Sequence, residues 1–419
     1  MHPNALLELA TDLLHQVMQF ETPADSVVSA FFRQHRALGA RERHTLAETT
    51  YAVLRQRLLF QHIAQSGKGE MERRLVVLAW QGNAGFLRAA LSEPEQQWLE
   101  RVSTVDRTAL PDKLRHNLPE WLAEPLRADL GDEFWPLVDS LNLAAPLDLR
   151  VNSLKAKRDE VQAAFTAANI EALPTPYSPW GLRVQGKPAL NKLDVFVRGD
   201  VEVQDEGSQL LALLTDAKRS EMVVDFCAGA GGKTLALGAS MRNTGRLYAF
   251  DTSGHRLAAL KPRLARSGLS NVYPVQIAHE RDERIKRLAG KIDRVLVDAP
   301  CSGLGTLRRN PDMKWRQSPE AVAELREKQA AILASASRLL KPGGRLVYAT
   351  CSLLNAENED IARAFTEAHG REFAPLPAAH ALARAHVNAP DTLVRGDFLR
   401  LWPHRHATDG FFAAVWERR

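Results

Sequence analysis

Cysteine is scarce: the 419 residues contain 3, widely spaced. Neither a disulfide framework nor a CxxC zinc site can be built from them, so no metal is expected and a reducing cytoplasm fits. No apolar run approaches the roughly eighteen residues of a membrane span. The amino terminus, MHPNALLELATDLLHQV, carries Glu8 and Asp12 and lacks the basic-then-apolar order of a secretory signal. Neither sign of charge dominates. Lys and Arg number 55 against 50 Asp and Glu, a net charge of +5, which implies only a tolerance for polyanions. Against these absences stand 45% hydrophobic and 25% charged residues, ordinary for a globular protein of two or three domains.

Two of the three cysteines sit in equivalent places. Val295-Leu296-Val297 lead through Asp298, Ala299 and Pro300 to Cys301, and Leu346-Val347-Tyr348 lead through Ala349 and Thr350 to Cys351. Short continuous apolar runs, separated by a helical stretch from Ala321 to Leu340, are the mark of a parallel α/β sheet. Ligands bind at the carboxyl ends of such strands. If the two strands are neighbours, both thiols face one pocket. The alternative is a pair of small buried apolar side chains. Placement at strand-to-loop junctions, each followed by serine and one stiffened by Pro300, favours chemistry.

A glycine-rich turn precedes them. In MVVDFCAGAGGKT a strand through Val223 and Val224 ends at Asp225, glycines follow, and a helix begins near Lys233. Glycine permits close backbone approach to a ligand, and the helix start presents free N–H groups. A P-loop is excluded, because Cys227 stands where its first glycine belongs. The next strand, RLYAF, ends at Asp251, about twenty residues on, where an acid can bind ribose hydroxyls. On this motif alone a nicotinamide dinucleotide stays open.

The remaining chain reads as two further parts. Residues 1–142 are all-helical, with Leu6, Leu9, Leu13, Val17 and Phe20 at helical spacing, Pro3 and Pro23 at helix starts, and short helices at Leu75–Trp80, Phe86–Leu91 and Trp98–Val102. Arg33, Arg36, Arg41, Arg43, Arg55, Arg57, Arg73 and Arg74 crowd this part with His35 and His44. They are either solvated helix faces or a nucleic-acid surface. After Ala144-Ala145-Pro146, the strand LDLRVNSL, a helix over Arg158–Ala168 and the strands LRVQG and VFVRGDVEVQ predict a small α+β subdomain over 143–206.

Taken together, LRVN (149–152), VQDEGSQL (203–210), DFCAGAGGKT (225–234), Asp251, DAPCSGLGTLRRNPDMKW (298–315), LKPGGRLVYATCS (340–352), ENE (357–359) and TDGFF (408–412) resemble the Sun/Fmu (NOL/NOP/Sun) RNA cytosine-5 methyltransferases, above all the bacterial branch acting on small-subunit ribosomal RNA. The resemblance covers 147–419; the helical part is similar in kind to that branch's NusB-like RNA-binding domain. It implies an α/β fold with a Rossmann-like class I methyltransferase domain over 207–419, an RNA partner, a monomer, and S-adenosylmethionine as cofactor. It makes Cys351 the nucleophile and Cys301 the aid to product release, with Asp298 near base and cofactor. Cys227, Ala228, Gly229, Ala230, Gly231, Gly232, Lys233, Asp251 and Asp298 are the implied cofactor contacts. Lys233 either orients Asp298, with a catalytic role, or is a helix-terminal charge. A transfer RNA substrate and a catalytically inactive assembly factor are the alternatives.

The chemistry asks for these residue types. Cytosine C5 is a poor nucleophile until a thiolate adds at C6, and the base must be unpaired or extruded to be reached. Two departures stand out. Gly229-Ala230-Gly231-Gly232 replaces the family's Ala-Pro-Gly-Gly and loses a fixed φ. Ala278 and His279 occupy the place of an acid expected near the adenine, leaving Glu280, Asp282 or backbone groups to read it.

Overall fold

The structure, a computed structural model, describes residues 1–419. Two compact units emerge: residues 1–144 together with 306–319, and residues 145–305 together with 320–419.

The first unit is helical. Pro3–Val17, Ala24–Gln34, Ala40–Arg55, Arg57–Ala64 and Met71–Ala79 enclose a core of Leu7, Leu13, Leu14, Leu46, Val53, Leu54, Leu75 and Val76, the apolar stripes at helical spacing. Shorter helices follow at Ala84–Arg88 and Glu93–Ser103. Asn83 caps the first, accepting from the Phe86 N–H at 3.0 Å. The segment 306–319 belongs here, although the sequence placed it in the methyltransferase domain. Trp315 Nε1 donates to the Leu54 carbonyl at 2.8 Å, Lys314 Nζ to the Arg55 carbonyl at 2.8 Å, and the Ala24 N–H to Asp312 at 3.1 Å. Burial pushes the Lys314 ammonium down to about 7.

Five of the eight arginines in the cluster are engaged within this unit. Arg55 donates to the Arg308 carbonyl at 3.2 Å, and Arg57 lies over the rings of Phe20 and Trp315. Arg73 pairs with Glu95, and Arg74 donates to the carbonyls of Ala64 and Gly67. Arg43 donates to the Leu38 carbonyl at 2.9 Å. Arg33, Arg36 and Arg41 are exposed.

The second unit starts with a small antiparallel sheet of β1 (Leu147–Val151), β2 (Ala172–Pro174), β3 (Gly181–Val184) and β4 (Val201–Val203), in the order β2-β3-β1-β4. The helix over Arg158–Ala167 packs on it through Val161 and Phe165. The expected strand VFVRGDVEVQ is corrected: Asp194–Val197 is a helical turn and only Val201–Val203 is strand. Leu193 and Asp194 open that turn, with Arg198 N–H returning to the Asp194 carbonyl at 2.8 Å, so local hydrogen bonding overrides β-branched propensity.

The large sheet contains β5 (Met222–Asp225), β6 (Arg246–Asp251), β7 (Val272–Gln276), β8 (Ile292–Asp298), β9 (Leu340–Thr350), β10 (Phe373–Leu376), β11 (Val394–Arg395), β12 (Phe398–Leu401) and β13 (Phe411–Arg418). Its order is β11-β12-β13-β9-β8-β5-β6-β7, with β10 also on β13. β7, β6, β5, β8 and β9 are parallel, and β13 is antiparallel to β9. Both faces are covered: Leu296 packs into one core, Val295 and Val297 into the other, as pleating requires. Chain order reverses between β5 and β8, which opens a crevice at their carboxyl ends. The helix predicted to run to Leu340 ends at Ser337, and Leu340 already pairs with Ile292 in the sheet. This is a Rossmann-like α/β core. No helix is long and apolar enough to cross a membrane.

Candidate active site

β8 and β9 are neighbours, with Asp298 opposite Ala349. Cys301 and Cys351 therefore leave adjacent strand ends, and their Sγ atoms lie 3.4 Å apart, both free thiols. The hydrogen bond shared with Cys351, and then burial, push the Cys301 thiol well above its usual range.

Close backbone approach fixes the two turns. The Gly305 N–H donates to the Cys351 carbonyl at 2.8 Å, and the Gly410 N–H to the Gly305 carbonyl at 2.8 Å. A Cβ on Gly305 would lie 2.1 Å from the Gly410 oxygen, so only glycine fits. Behind them, Asn358 Nδ2 donates to the Ser352 carbonyl at 2.9 Å, and Arg400 donates to the carbonyls of Ser352 and Leu353.

Lys233 and Asp298 form a pair at 2.7 Å, their side chains 12% and 28% exposed. Burial alone would lower the Lys233 ammonium, but the charges of Asp298, Cys351 and Asp225 together with the Asp298 hydrogen bond outweigh it and hold the group above its ordinary value. Lys233 thus places a positive charge close to both Asp298 and Cys351.

The glycine-rich turn lies at the end of β5, where the helix Gly232–Ser240 starts. Gly231 has φ +84, and a Cβ there would meet Leu260 at 2.1 Å. The Ala228 N–H donates to the Phe250 carbonyl at 2.8 Å, and the Gly231 N–H to the Ala228 carbonyl at 2.9 Å. The rigidity that the family's proline supplies is replaced by a contact: Arg263 donates to the Ala230 carbonyl at 2.6 Å while pairing with buried Glu202. Asp251, 5% exposed, accepts from the Gly229 N–H at 2.8 Å and the Ser253 N–H at 2.7 Å. It therefore ties the end of β6 to the glycine-rich turn.

Two features fit a ligand in this crevice. Beyond its own turn and helix, the nearest atoms to a Cβ placed on Gly232 are Gln204 Nε2 at 3.8 Å and Arg263 Nη2 at 4.0 Å, beside a helix start whose first N–H groups have no intrahelical partner. Asp225 is fully buried and holds Thr234 Oγ1 through one oxygen at 2.7 Å, while its other oxygen has no partner. Burial pushes its carboxyl up to about 7. Cys227, the third cysteine, has its thiol pushed well up by burial and by the charges of Asp298, Asp225 and Asp251.

After β7, Asp282 is committed: it accepts from the Ala278 N–H and the Arg284 N–H, both at 2.9 Å. It caps the turn Glu283–Lys286 rather than facing outward. Glu280 pairs with Arg281 at 3.5 Å. The residue that sequence reasoning left without a role is Glu357 of the ENE motif. It is 0% exposed and accepts from Ser302 and Ser352, the residues after the two cysteines. An acid six residues after a strand-end cysteine was the available signal.

Comparisons with known proteins agree with this geometry. Residues 212–417 match the family model described as 16S rRNA methyltransferase RsmB/F, and residues 118–191 match its ferredoxin-like domain. The chain is 35% identical over 307 residues to the probable ribosomal RNA small subunit methyltransferase B of Synechocystis sp., covering 72% of this chain and 66% of that protein. It is 32% identical over 333 residues to the Bacillus subtilis protein of the same description, covering 79% and 73%. Among solved structures, the crystal structure of PH0851 superposes with a TM-score of 0.81 at 27% identity, covering 100% of this chain and 99% of that one. The shared motifs, the sheet order and the paired strand-end cysteines converge: this chain belongs to the RsmB/F family of 16S ribosomal RNA methyltransferases.

Proposed function

We propose that this chain transfers a methyl group to C5 of a cytosine in 16S ribosomal RNA through a covalent bond between Cys351 and C6 of the base. The observation that carries the reading is the pair of thiols 3.4 Å apart beside the Lys233–Asp298 pair. S-adenosylmethionine is the cofactor of this methyltransferase family, and when bound it supplies an electrophilic methyl group. Asp251 is suited to hold the ribose hydroxyls, and the turn 227–233 the remainder. Cys351 adds to C6, which makes C5 nucleophilic. Asp298 faces the base edge, and Lys233 pairs with Asp298 and sets a positive charge beside the site of attack. Cys301, freed of its hydrogen bond to the Cys351 thiol once that sulfur is bonded to C6, assists the reverse step as a thiolate base: it takes the C5 proton, the C5–H electron pair re-forms the C5–C6 double bond, and the Cys351 sulfur leaves with the C6–S pair.

Deleting the gene should remove one 5-methylcytosine from 16S ribosomal RNA, read by bisulfite sequencing, and the intact gene should restore it. Loss of the mark from a transfer RNA instead would move the substrate. No lost mark, with ribosome assembly impaired, would indicate an inactive assembly factor.

The helical unit is read as NusB-like and as the part that holds RNA, on the strength of its exposed Arg33, Arg36 and Arg41. Replacing the three by glutamine should weaken RNA binding and reduce the slope of log affinity against log salt by roughly two. An unchanged slope would leave them as ordinary surface.

A further inference from the structure

We infer that the helical unit holds one unpaired nucleotide of its RNA in a hollow beside Arg41, with the base on the rings of Trp80 and Phe86 and its edge on the Thr45 hydroxyl. The inference deepens the reading of that unit as the part that holds RNA, and it rests on that reading.

The hollow has a volume of 390 Å³, at the lower end of the roughly 300–1,000 Å³ of small-molecule sites. Trp80 and Phe86 form part of its wall. Both are half-buried and packed against the core of the unit, so each ring keeps a part open to the hollow. Trp80 is held in place before any ligand arrives. Its Nε1–H donates to the Asn83 carbonyl at 3.4 Å. The ring also lies close to the backbone of Gly82, where a Cβ would meet Trp80 Nε1 at 2.6 Å. A ring already fixed loses little freedom when a base stacks on it.

The polar groups of the wall are those of a binding site rather than of plain core. Thr45 is 8% exposed and lines the hollow, yet its hydroxyl has no hydrogen-bond partner in the chain. The other two threonines of the helix Ala40–Arg55 are satisfied: Thr49 accepts from the Gln81 N–H at 3.0 Å, and Thr50 donates to the Leu46 carbonyl at 2.9 Å. A nearly buried hydroxyl left unpaired is costly, and this one can donate to a base edge or accept from it.

Charge selects the ligand. Arg41 is exposed and pairs with no acid. The acid in the wall, Glu42, is engaged elsewhere, accepting from the Gly39 N–H at 2.7 Å and pairing with the Met1 amine at 3.0 Å. Exposed Arg33 and Arg36 lie just before Arg41 in the chain and are tied to the same segment, since Arg43 donates to the Arg36 carbonyl and Arg36 to the Arg33 carbonyl, both at 3.4 Å. Unpaired RNA is gripped by such a combination: bases stack on aromatic side chains while cations take the phosphates. An aliphatic side chain of a protein would fill the hollow but leave Thr45 unpaired and the arginines unanswered.

The full chain titrated with a fluorescent single-stranded RNA oligonucleotide tests this. Trp80→Ala should weaken binding roughly tenfold, the scale of losing one stacked base. It should leave the slope of log affinity against log salt unchanged, because no charge is removed. Arg41→Gln should instead lower that slope by about one. Thr45→Val keeps the shape without the hydroxyl and should weaken binding about threefold; it decides the matter if Trp80→Ala does not fold. Irradiating a thiouridine-substituted oligonucleotide should attach it to Trp80 or Phe86, read by peptide mass spectrometry. Wild-type affinity in Trp80→Ala and Thr45→Val, or attachment only outside the helical unit, would overturn the inference and leave the hollow to a protein side chain. The triple glutamine variant of Arg33, Arg36 and Arg41 separates the two levels. If its salt slope falls while Trp80→Ala and Thr45→Val bind as wild type, the inference alone fails; if its slope is unchanged, the RNA-holding reading fails and takes the inference with it.

Discussion

Cys351→Ala is expected to fold, bind RNA and S-adenosylmethionine, and lose at least roughly a thousandfold in methylation, the scale of removing a nucleophile. Cys301→Ala is expected to lose turnover in a different way, by accumulating a protein–RNA adduct that survives denaturation. The distinction follows from chemical order, because bond formation at C6 precedes methyl transfer and release follows it. The geometry sharpens the assignment. Hydrogen bonding to Cys351 and burial hold the Cys301 thiol well above its usual range, so Cys301 is poorly suited to attack. Cys351 lies close enough to Lys233 that its charge helps retain that ammonium's proton. Denaturing electrophoresis with labelled RNA reads both outcomes. An adduct trapped by Cys351→Ala would reverse the roles. Full turnover by both variants would make the thiols structural.

The parallel core was legible because its strands are short, apolar and buried on both faces, so Val223–Val224, Val295–Val297 and Leu346–Tyr348 announce themselves without alternation. The pairing of Cys301 with Cys351 followed from one topological condition, the adjacency of two strands, which β8 and β9 meet. Three features were not legible. β13 lies beside β9, and its pairing is long-range, with no local signature in FFAAVWER. The segment 306–319 was assigned by its neighbours in sequence, but Trp315 and Lys314 hydrogen-bond to Leu54 and Arg55, and tertiary contact decides such a case. The arginine cluster looked uniform; burial alone separates Arg55 and Arg57, which pack, from Arg33, Arg36 and Arg41, which face solvent. At the site, the glycine turn between β5 and the helix Gly232–Ser240 was readable from spacing. The contacts of Glu357 with Ser302 and Ser352 were not, because one carboxylate joining two loops is invisible until the loops meet.

Lys233→Met should lower kcat on the order of a hundredfold while the dissociation constant for S-adenosylmethionine stays close to wild type. The side chain is nearly enclosed, 2.7 Å from Asp298 and 5.8 Å from the Phe411 ring centroid. Methionine fills the space but leaves Asp298 without its cation and removes a positive charge from beside Cys351, and preorganised charge of this kind is where catalytic rate is lost. Its folded-state pKa is raised above the unfolded value, so its stabilising charge is fully present below the unfolded value and is lost only as pH rises through the folded one. Both lie above about pH 10, and Lys233 should therefore add no limb to the wild-type pH–rate profile between about pH 6 and 9. Asp251→Ala gives the contrasting pattern. Removing an acceptor that holds the Gly229 N–H and is suited to the ribose should raise the dissociation constant for S-adenosylmethionine roughly tenfold or more, the worth of hydrogen bonds to a charged group at ~1.5–3 kcal/mol. At saturating cofactor, kcat should largely return. Calorimetry and saturation kinetics on the two variants separate binding from chemistry. A Lys233→Met protein with undiminished kcat would reduce Lys233 to a charge at a helix start, and an Asp251→Ala protein with wild-type affinity would mean that the glycine turn serves another ligand.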